Sequence, residues 1–184
     1  DFCQALGIAP ALKYENDGGP GIADAMRLLL GSQEGSKDRE RFFFTQMLFW
    51  LLAAIDGHAK NFSLFLEPGS AYRMTPLYDV ISAYPLMAQS SLPRERVKMA
   101  MALKGKNKHY RWARIERRHF LSSAAQVGFP RKRVDALMRN LVERAPGIVD
   151  DLSGRLPQNF PTSICEPIFE GVRDQAERLG AWLA

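Results

Sequence analysis

Asp56, His58, Lys60 and Asn61 crowd together directly behind an apolar run, and a further acid, Asp79, follows a segment that reads as a hairpin. A carboxylate at Asp56 can take a proton from a hydroxyl as a general base, a contribution of about 10² to 10⁴ in rate. The amide of Asn61 and the carboxylate of Asp79 are hard oxygen donors suited to magnesium. Lys60, next to Asn61, offers a compact positive charge to a transferring phosphate. Together these groups suit phosphoryl transfer, in which a metal neutralises nucleotide phosphates and a base orients the attacking hydroxyl. The plain alternative is a helix-end loop whose Asp and Asn side chains satisfy backbone groups.

For these side chains to meet, the chain between them must fold back. Phe62 to Leu66 and Tyr72 to Thr75 flank "EPGS", whose proline and glycine favour a turn. If Phe62 pairs with Pro76, the two strands run about 5 Å apart at about 3.3 Å per residue. Asn61 then lies opposite Leu77, and Asp79 follows just beyond. Asn61 and Asp79 can converge on one cation while Asp56 stands in the preceding loop. The D-x-x-x-x-N spacing of Asp56 and Asn61 also matches the catalytic loop of protein kinases.

The elements that must carry this loop are mostly helical. Asp1 to Gly7 reads as a helix tail stopped by glycine, and "YENDGGPG", Tyr14 to Gly21, as a loop. Pro20 suits the first turn of a helix from Gly21 to Leu30. Ser36 can cap the next helix, Asp38 and Glu40 favour its positive end, and Phe42 to Ile55 form its buried run. Val97, Met99, Met101 and Leu103 alternate with Lys98, Ala100, Ala102 and Lys104, which predicts a second hairpin turning at "GKNK" into "HYRW". Helices are then expected over His119 to Val127, Arg131 to Ala145, Ile148 to Leu156 and Glu166 to Leu183. The expectation is a single domain over residues 1–184, mainly α with small β-hairpins.

Composition bounds the rest. The chain has 184 residues, 46% of them hydrophobic, enough for one substantial core. The apolar run from Phe42 to Ile55 is interrupted by Thr45 and Gln46 and is shorter than the roughly 18 to 20 residues that span a bilayer, so no membrane role is expected. Cys3 and Cys165 lack any CxxC spacing, which fits a reducing, cytoplasmic setting. The chain starts at Asp1 rather than at a methionine and reads as a piece of a longer protein. Its net charge is +5, with the excess concentrated between Arg94 and Arg133.

"IDGHAKNFSL" followed by "PLYDV" resembles the active-site core of the HipA-type serine/threonine kinases, the toxin components of bacterial toxin–antitoxin modules, and "YENDGGPGIADAM" resembles them too. The resemblance implies a protein-kinase-like C-terminal lobe. It implies Asp56 as catalytic base, Asn61 and Asp79 as magnesium ligands, and ATP as phosphate donor. His58, Ala59, Lys60, Asn61, Tyr78 and Asp79 would line the nucleotide. A protein substrate such as glutamyl-tRNA synthetase, inhibition of growth, a HipB-like antitoxin and operator DNA follow from the family alone. Ordinary kinase features are missing: Ala54 and Ile55 stand where H-R would precede Asp56, and Val80 and Ile81 follow Asp79 instead of Phe-Gly. There is no glycine-rich phosphate loop and no V-A-I-K-like strand, so the N-terminal lobe is expected outside this chain.

Other residues divide between chemistry and packing. His58 could touch a nucleotide or simply bond the loop, and Tyr78 could stack on a base or join the core. The basic segment "HYRWARIERRHF", with Arg117 and Arg118, and "PRKR", with Arg131, Lys132 and Arg133, could contact DNA phosphates or be a solvated face. A rival reading is therefore a non-catalytic, pseudokinase-like module that holds an antitoxin and operator DNA.

Overall fold

Helix α3, Gly35–Leu51, runs through the middle of the domain and positions everything that follows. The computed structural model describes residues 1–184. Buried residues lie all around α3, including Phe42, Phe43, Thr45, Gln46, Met47, Phe49 and Trp50, as expected of a helix enclosed by the rest of the fold. Ser36 does not cap it. Glu34 is the N-cap residue, and the Asp38 carboxylate instead accepts from the Ser32 hydroxyl at 2.5 Å and the Met74 amide at 2.8 Å. The helix also stops short of Ile55. The Ala54 amide bonds back to the Phe49 carbonyl at 2.8 Å and the Ala53 amide to Trp50 at 3.3 Å, with Ala53 at φ +48°. This is a Schellman ending with alanine in the place that glycine usually takes.

Around α3 lie α1 (Phe2–Ala5), α2 (Ile22–Leu28) and α4 (Tyr84–Ala88), then α5 (Arg117–Gln126), α6 (Arg131–Arg155) and α7 (Thr162–Ala181). Gly21 caps α2, leaving Pro20 just outside it. The two segments expected at Arg131 to Ala145 and Ile148 to Leu156 are one helix, α6, continuous through Pro146. Its buried residues Val134, Met138, Leu141, Ala145 and Val149 keep a helical spacing across the proline, so packing outweighs the lost hydrogen bond. α4 was not anticipated from the sequence.

Two separate antiparallel hairpins complete the fold. β1 (Leu64–Leu66) pairs with β2 (Tyr72–Met74) in the register Leu64 to Met74 and Leu66 to Tyr72. Extended toward the loop, this register sets Phe62 against Pro76, as the sequence predicts. β3 (Lys98–Lys104) pairs with β4 (Lys108–Arg111). Its alternation predicts one buried face, yet Ala100 and Ala102 are buried as well. The edge of β3 away from β4 is paired as well: the Ala100 amide bonds to the Ile55 carbonyl at 2.9 Å, and the Ala102 amide to the Glu15 carboxylate at 2.6 Å.

The aromatic core ties these pieces together. Trp112 Nε1 donates to the Trp50 carbonyl at 2.7 Å and Trp50 Nε1 donates back to Trp112 at 3.3 Å, while the ring of Trp182 stacks on Trp50. The Tyr84 hydroxyl donates between the carbonyls of Leu51 and Gly171, joining α3 to α7. No helix is long and apolar enough to cross a membrane.

Candidate active site

The Schellman ending of α3 turns the chain so that Asp56 emerges at the surface. Gly57 packs beneath it against the ring of Phe49, and His58 begins a single 3-10 turn, Ala59–Asn61. One backbone amide organises this turn: His58 N–H lies 2.8 Å from the Asp56 carbonyl and 3.1 Å from Asn61 Oδ1. Asn61 is buried, 3% exposed, so its side-chain orientation is held. Its oxygen must face His58 N–H, and its NH₂ must face an acceptor.

That acceptor is Asp79. Asn61 Nδ2 donates to Asp79 Oδ2 at 2.6 Å, between residues 18 apart in sequence. The β1–β2 register brings the two strands level, and Asp79 then adopts φ +56°, a left-handed conformation that aspartate tolerates better than most residues. Such backbone outliers gather at functional sites. Tyr78 is not core. The residue is 41% exposed, and its hydroxyl lies 2.6 Å from the Lys60 carbonyl, to which it donates, and 2.8 Å from Ser63 Oγ.

The remaining predicted residues are placed as follows. The Lys60 ammonium makes no ion pair with any carboxylate. Ala59 is fully buried, backbone included, and presents no surface to a ligand. His58 is buried with Nδ1 unpartnered, and burial is the main cause that pushes its pKa below the ordinary value. Asp56 is exposed, and its Oδ1 accepts from the Tyr14 hydroxyl at 2.7 Å. Tyr14 lies 42 residues away, and nothing in the spacing marked it for this contact. Asp56 and Tyr14 share a cleft of about 390 Å³ with Asn16, Asp17, Lys98 and Tyr110.

The donor set fits a magnesium ion in kind. Magnesium keeps several waters and is held by one or two carboxylates together with substrate phosphates. Asp79 is an exposed carboxylate, and the Asn61 carbonyl oxygen keeps a second lone pair beside its bond to His58 N–H. Sharing a cation would exchange the Asn61–Asp79 hydrogen bond for metal–oxygen bonds.

Four arginines of the basic segment have carboxylate neighbours within the domain. Arg117 pairs with Asp135 at 2.8 Å, Arg118 with Glu116 at 3.0 Å, Arg131 with Asp135 at 3.8 Å, and Arg133 with Glu40. Arg118, Arg131 and Arg133 nonetheless keep more than half of their side-chain surface exposed.

The mainly helical body and its two hairpins have the fold of a protein-kinase-like C-terminal lobe. The chain belongs to the HipA-like C-terminal domain family, whose model matches residues 1–148. It is 31% identical over 158 residues to a Sinorhizobium fredii (strain NBRC 101917 / NGR234) protein named "Putative kinase Y4mE". That alignment takes in 83% of this chain and 35% of the relative. Among solved structures it resembles one from the Shewanella oneidensis MR-1 toxin–antitoxin system, described as HipA, HipB and its operator DNA complex. The TM-score is 0.86 at 20% identity, over 100% of this chain and 44% of that one. The chain thus spans about a third of the length of the curated relative it matches.

Proposed function

We propose that this domain is the catalytic lobe of a protein kinase that transfers the γ-phosphate of ATP to a serine or threonine hydroxyl. The observation that carries the reading is the 2.6 Å contact between Asn61 and Asp79, which brings an amide and a carboxylate to one rim from the two sides of the β1–β2 hairpin. Asp56 accepts the proton of the attacking hydroxyl. Lys60 places its charge against the transferring phosphate, and the stretch from His58 to Asn61, with Tyr78 and Asp79, borders the nucleotide. Asn61 and Asp79 would hold magnesium, which when bound neutralises charge on the phosphates. The chain's own residues supply orientation: His58 N–H fixes the Asn61 amide, and Gly57 lets the Asp56 loop lie against α3. A further lobe elsewhere in the protein would complete the nucleotide site, consistent with the 35% of the relative that this chain spans. The family resemblance supplies glutamyl-tRNA synthetase as the first acceptor to test, a HipB-like antitoxin and its operator DNA as partners, and the cytoplasm as the setting.

The test is phosphate transfer by the full-length protein carrying this domain. Asp56→Asn should lower turnover by about 10² or more with an unchanged melting temperature. Turnover equal to that of the unsubstituted protein would remove Asp56 from the chemistry and favour the binding-module reading.

A further inference from the structure

An aspartate on an exposed loop has a broad, soft terminal torsion, so a carboxylate base needs something to hold its plane. At Asp56 that contact comes from far along the chain. The Tyr14 hydroxyl donates to Oδ1 at 2.7 Å. The Tyr14 ring is itself in a T-shaped contact with the His58 ring, centroids 5.0 Å apart, and has the Lys13 ammonium over its face at 5.0 Å.

The backbone around Tyr14 is fastened to the same elements that carry Asp56. The Ala59 amide donates to the Lys13 carbonyl at 3.4 Å, linking the segment to the 3-10 turn. On the other side of Tyr14, the Glu15 carboxylate accepts from the Ala102 amide at 2.6 Å and from Lys108 at 2.8 Å, which fastens the segment to β3 and β4. β3 in turn donates from Ala100 to the Ile55 carbonyl, next to Asp56. The Tyr14 carbonyl accepts from Gly19 at 2.9 Å, a turn that leaves no room for a side chain. A Cβ on Gly19 would lie 1.9 Å from the Leu12 carbonyl oxygen. A hydrogen bond at an exposed carboxylate adds little to folding. So much fixed backbone around one phenol points to a role in placing the carboxylate.

We propose that Tyr14 is a positioning residue of the phosphotransfer site: its hydroxyl holds Asp56 Oδ1 and leaves Oδ2 as the oxygen that takes the acceptor proton. The inference rests on the phosphotransfer reading above. In the step, the acceptor O–H bond breaks and its proton passes to Oδ2. The acceptor oxygen bonds to the γ-phosphorus of ATP, and the bond from that phosphorus to the β–γ bridging oxygen breaks, its electron pair leaving with ADP. The cleft shared with Asn16, Asp17, Lys98 and Tyr110 is the side from which the acceptor approaches. The hydrogen bond to Asp56, with burial behind it, pushes the Tyr14 pKa up to about 12, so the phenol stays a donor at physiological pH.

The test compares Tyr14→Phe, Asp56→Asn and the double variant in the full-length protein, with ADP release as readout. Tyr14→Phe keeps the ring and its packing. Expected are a fall in kcat of about tenfold, an unchanged KM for ATP and an unchanged melting temperature. The double variant should be no slower than Asp56→Asn alone, because Tyr14 acts only through that carboxylate. If Tyr14→Phe slows the Asp56→Asn background equally, or raises KM for ATP in step, its role is structural and the proposal is overturned. If Asp56→Asn abolishes turnover while Tyr14→Phe leaves kcat intact, the Tyr14 assignment alone falls. If Asp56→Asn leaves kcat intact, the phosphotransfer reading falls and takes this proposal with it.

Discussion

Gly57 separates the proposed base from the turn that carries the proposed metal ligand, and its missing side chain sets how closely that turn approaches α3. A Cβ there would lie 2.2 and 2.3 Å from two ring carbons of Phe49, which is 2% exposed and cannot swing into solvent. Gly57→Ala should therefore cost about 1 to 3 kcal/mol of stability, the usual penalty for overfilling a packed core. It should also lower phosphate transfer by more than the fraction unfolded explains, because a shift of about 1 Å in a catalytic group costs about 10² in rate. Thermal melts with turnover measured on the same sample check both, and an unchanged pair would show that the loop has slack. At this scale the sequence was partly legible. Asp56, Asn61 and Asp79 stand out because their residue types and the hairpin between them constrain each other. Tyr14 does not, since a contact across 42 residues leaves no periodicity to read.

At the scale of elements, the two ends of α3 decide where the site sits. The N-terminal end is tied to the first hairpin by Asp38, 1% exposed, whose carboxylate receives Ser32 Oγ and Met74 N–H. Asp38→Ala would leave the buried Met74 amide without a partner, at a cost of about 1 to 3 kcal/mol. The hairpin carries the chain to Asp79, so the variant should also weaken magnesium-dependent nucleotide binding by the full-length protein. Calorimetry at a temperature where the variant is folded measures this, and normal binding would show that Asp38 stabilises without aligning. The charge pattern at the start of α3 reads as a cap at Ser36 because sequence favours local hydrogen bonds. In the fold, Asp38 takes one partner from Ser32, just before the helix, and the other from Met74 on β2. The same limit explains α6: Pro146 reads as a break until the buried stripe from Val134 to Val149 is seen to continue past it.

Over the whole molecule, burial of charge-capable groups sets the response to pH. His58 and His119 are both buried, and burial is the leading cause that holds each below the ordinary pKa of 6.5, with the stacked His109 ring, 3.9 Å away, adding to the effect at His119. The unfolded chain binds protons at these positions near 6.5 while the folded chain declines them, so stability falls as pH drops below about 6.5 toward the folded values. Urea midpoints should decrease between about pH 7 and pH 5. His119→Gln should flatten that slope: glutamine at this position can still accept from Glu116 N–H, as His119 Nδ1 does at 3.1 Å. A slope identical in the variant would assign the pH response to other groups.

The sequence by itself determined the local grammar: a helix where aromatic residues run together, a turn at "EPGS", a register for the first hairpin, and hence the meeting of Asn61 with Asp79. These depend on short-range sterics and on a period that survives in one dimension. The tertiary structure decided what is set by distant partners: the cover over both faces of β3, the continuity of α6 and the Tyr14 hydroxyl on Asp56. Each of those is a hydrogen bond or a packing contact between segments far apart in the chain, and such pairs are chosen by the assembled core rather than by neighbouring residues.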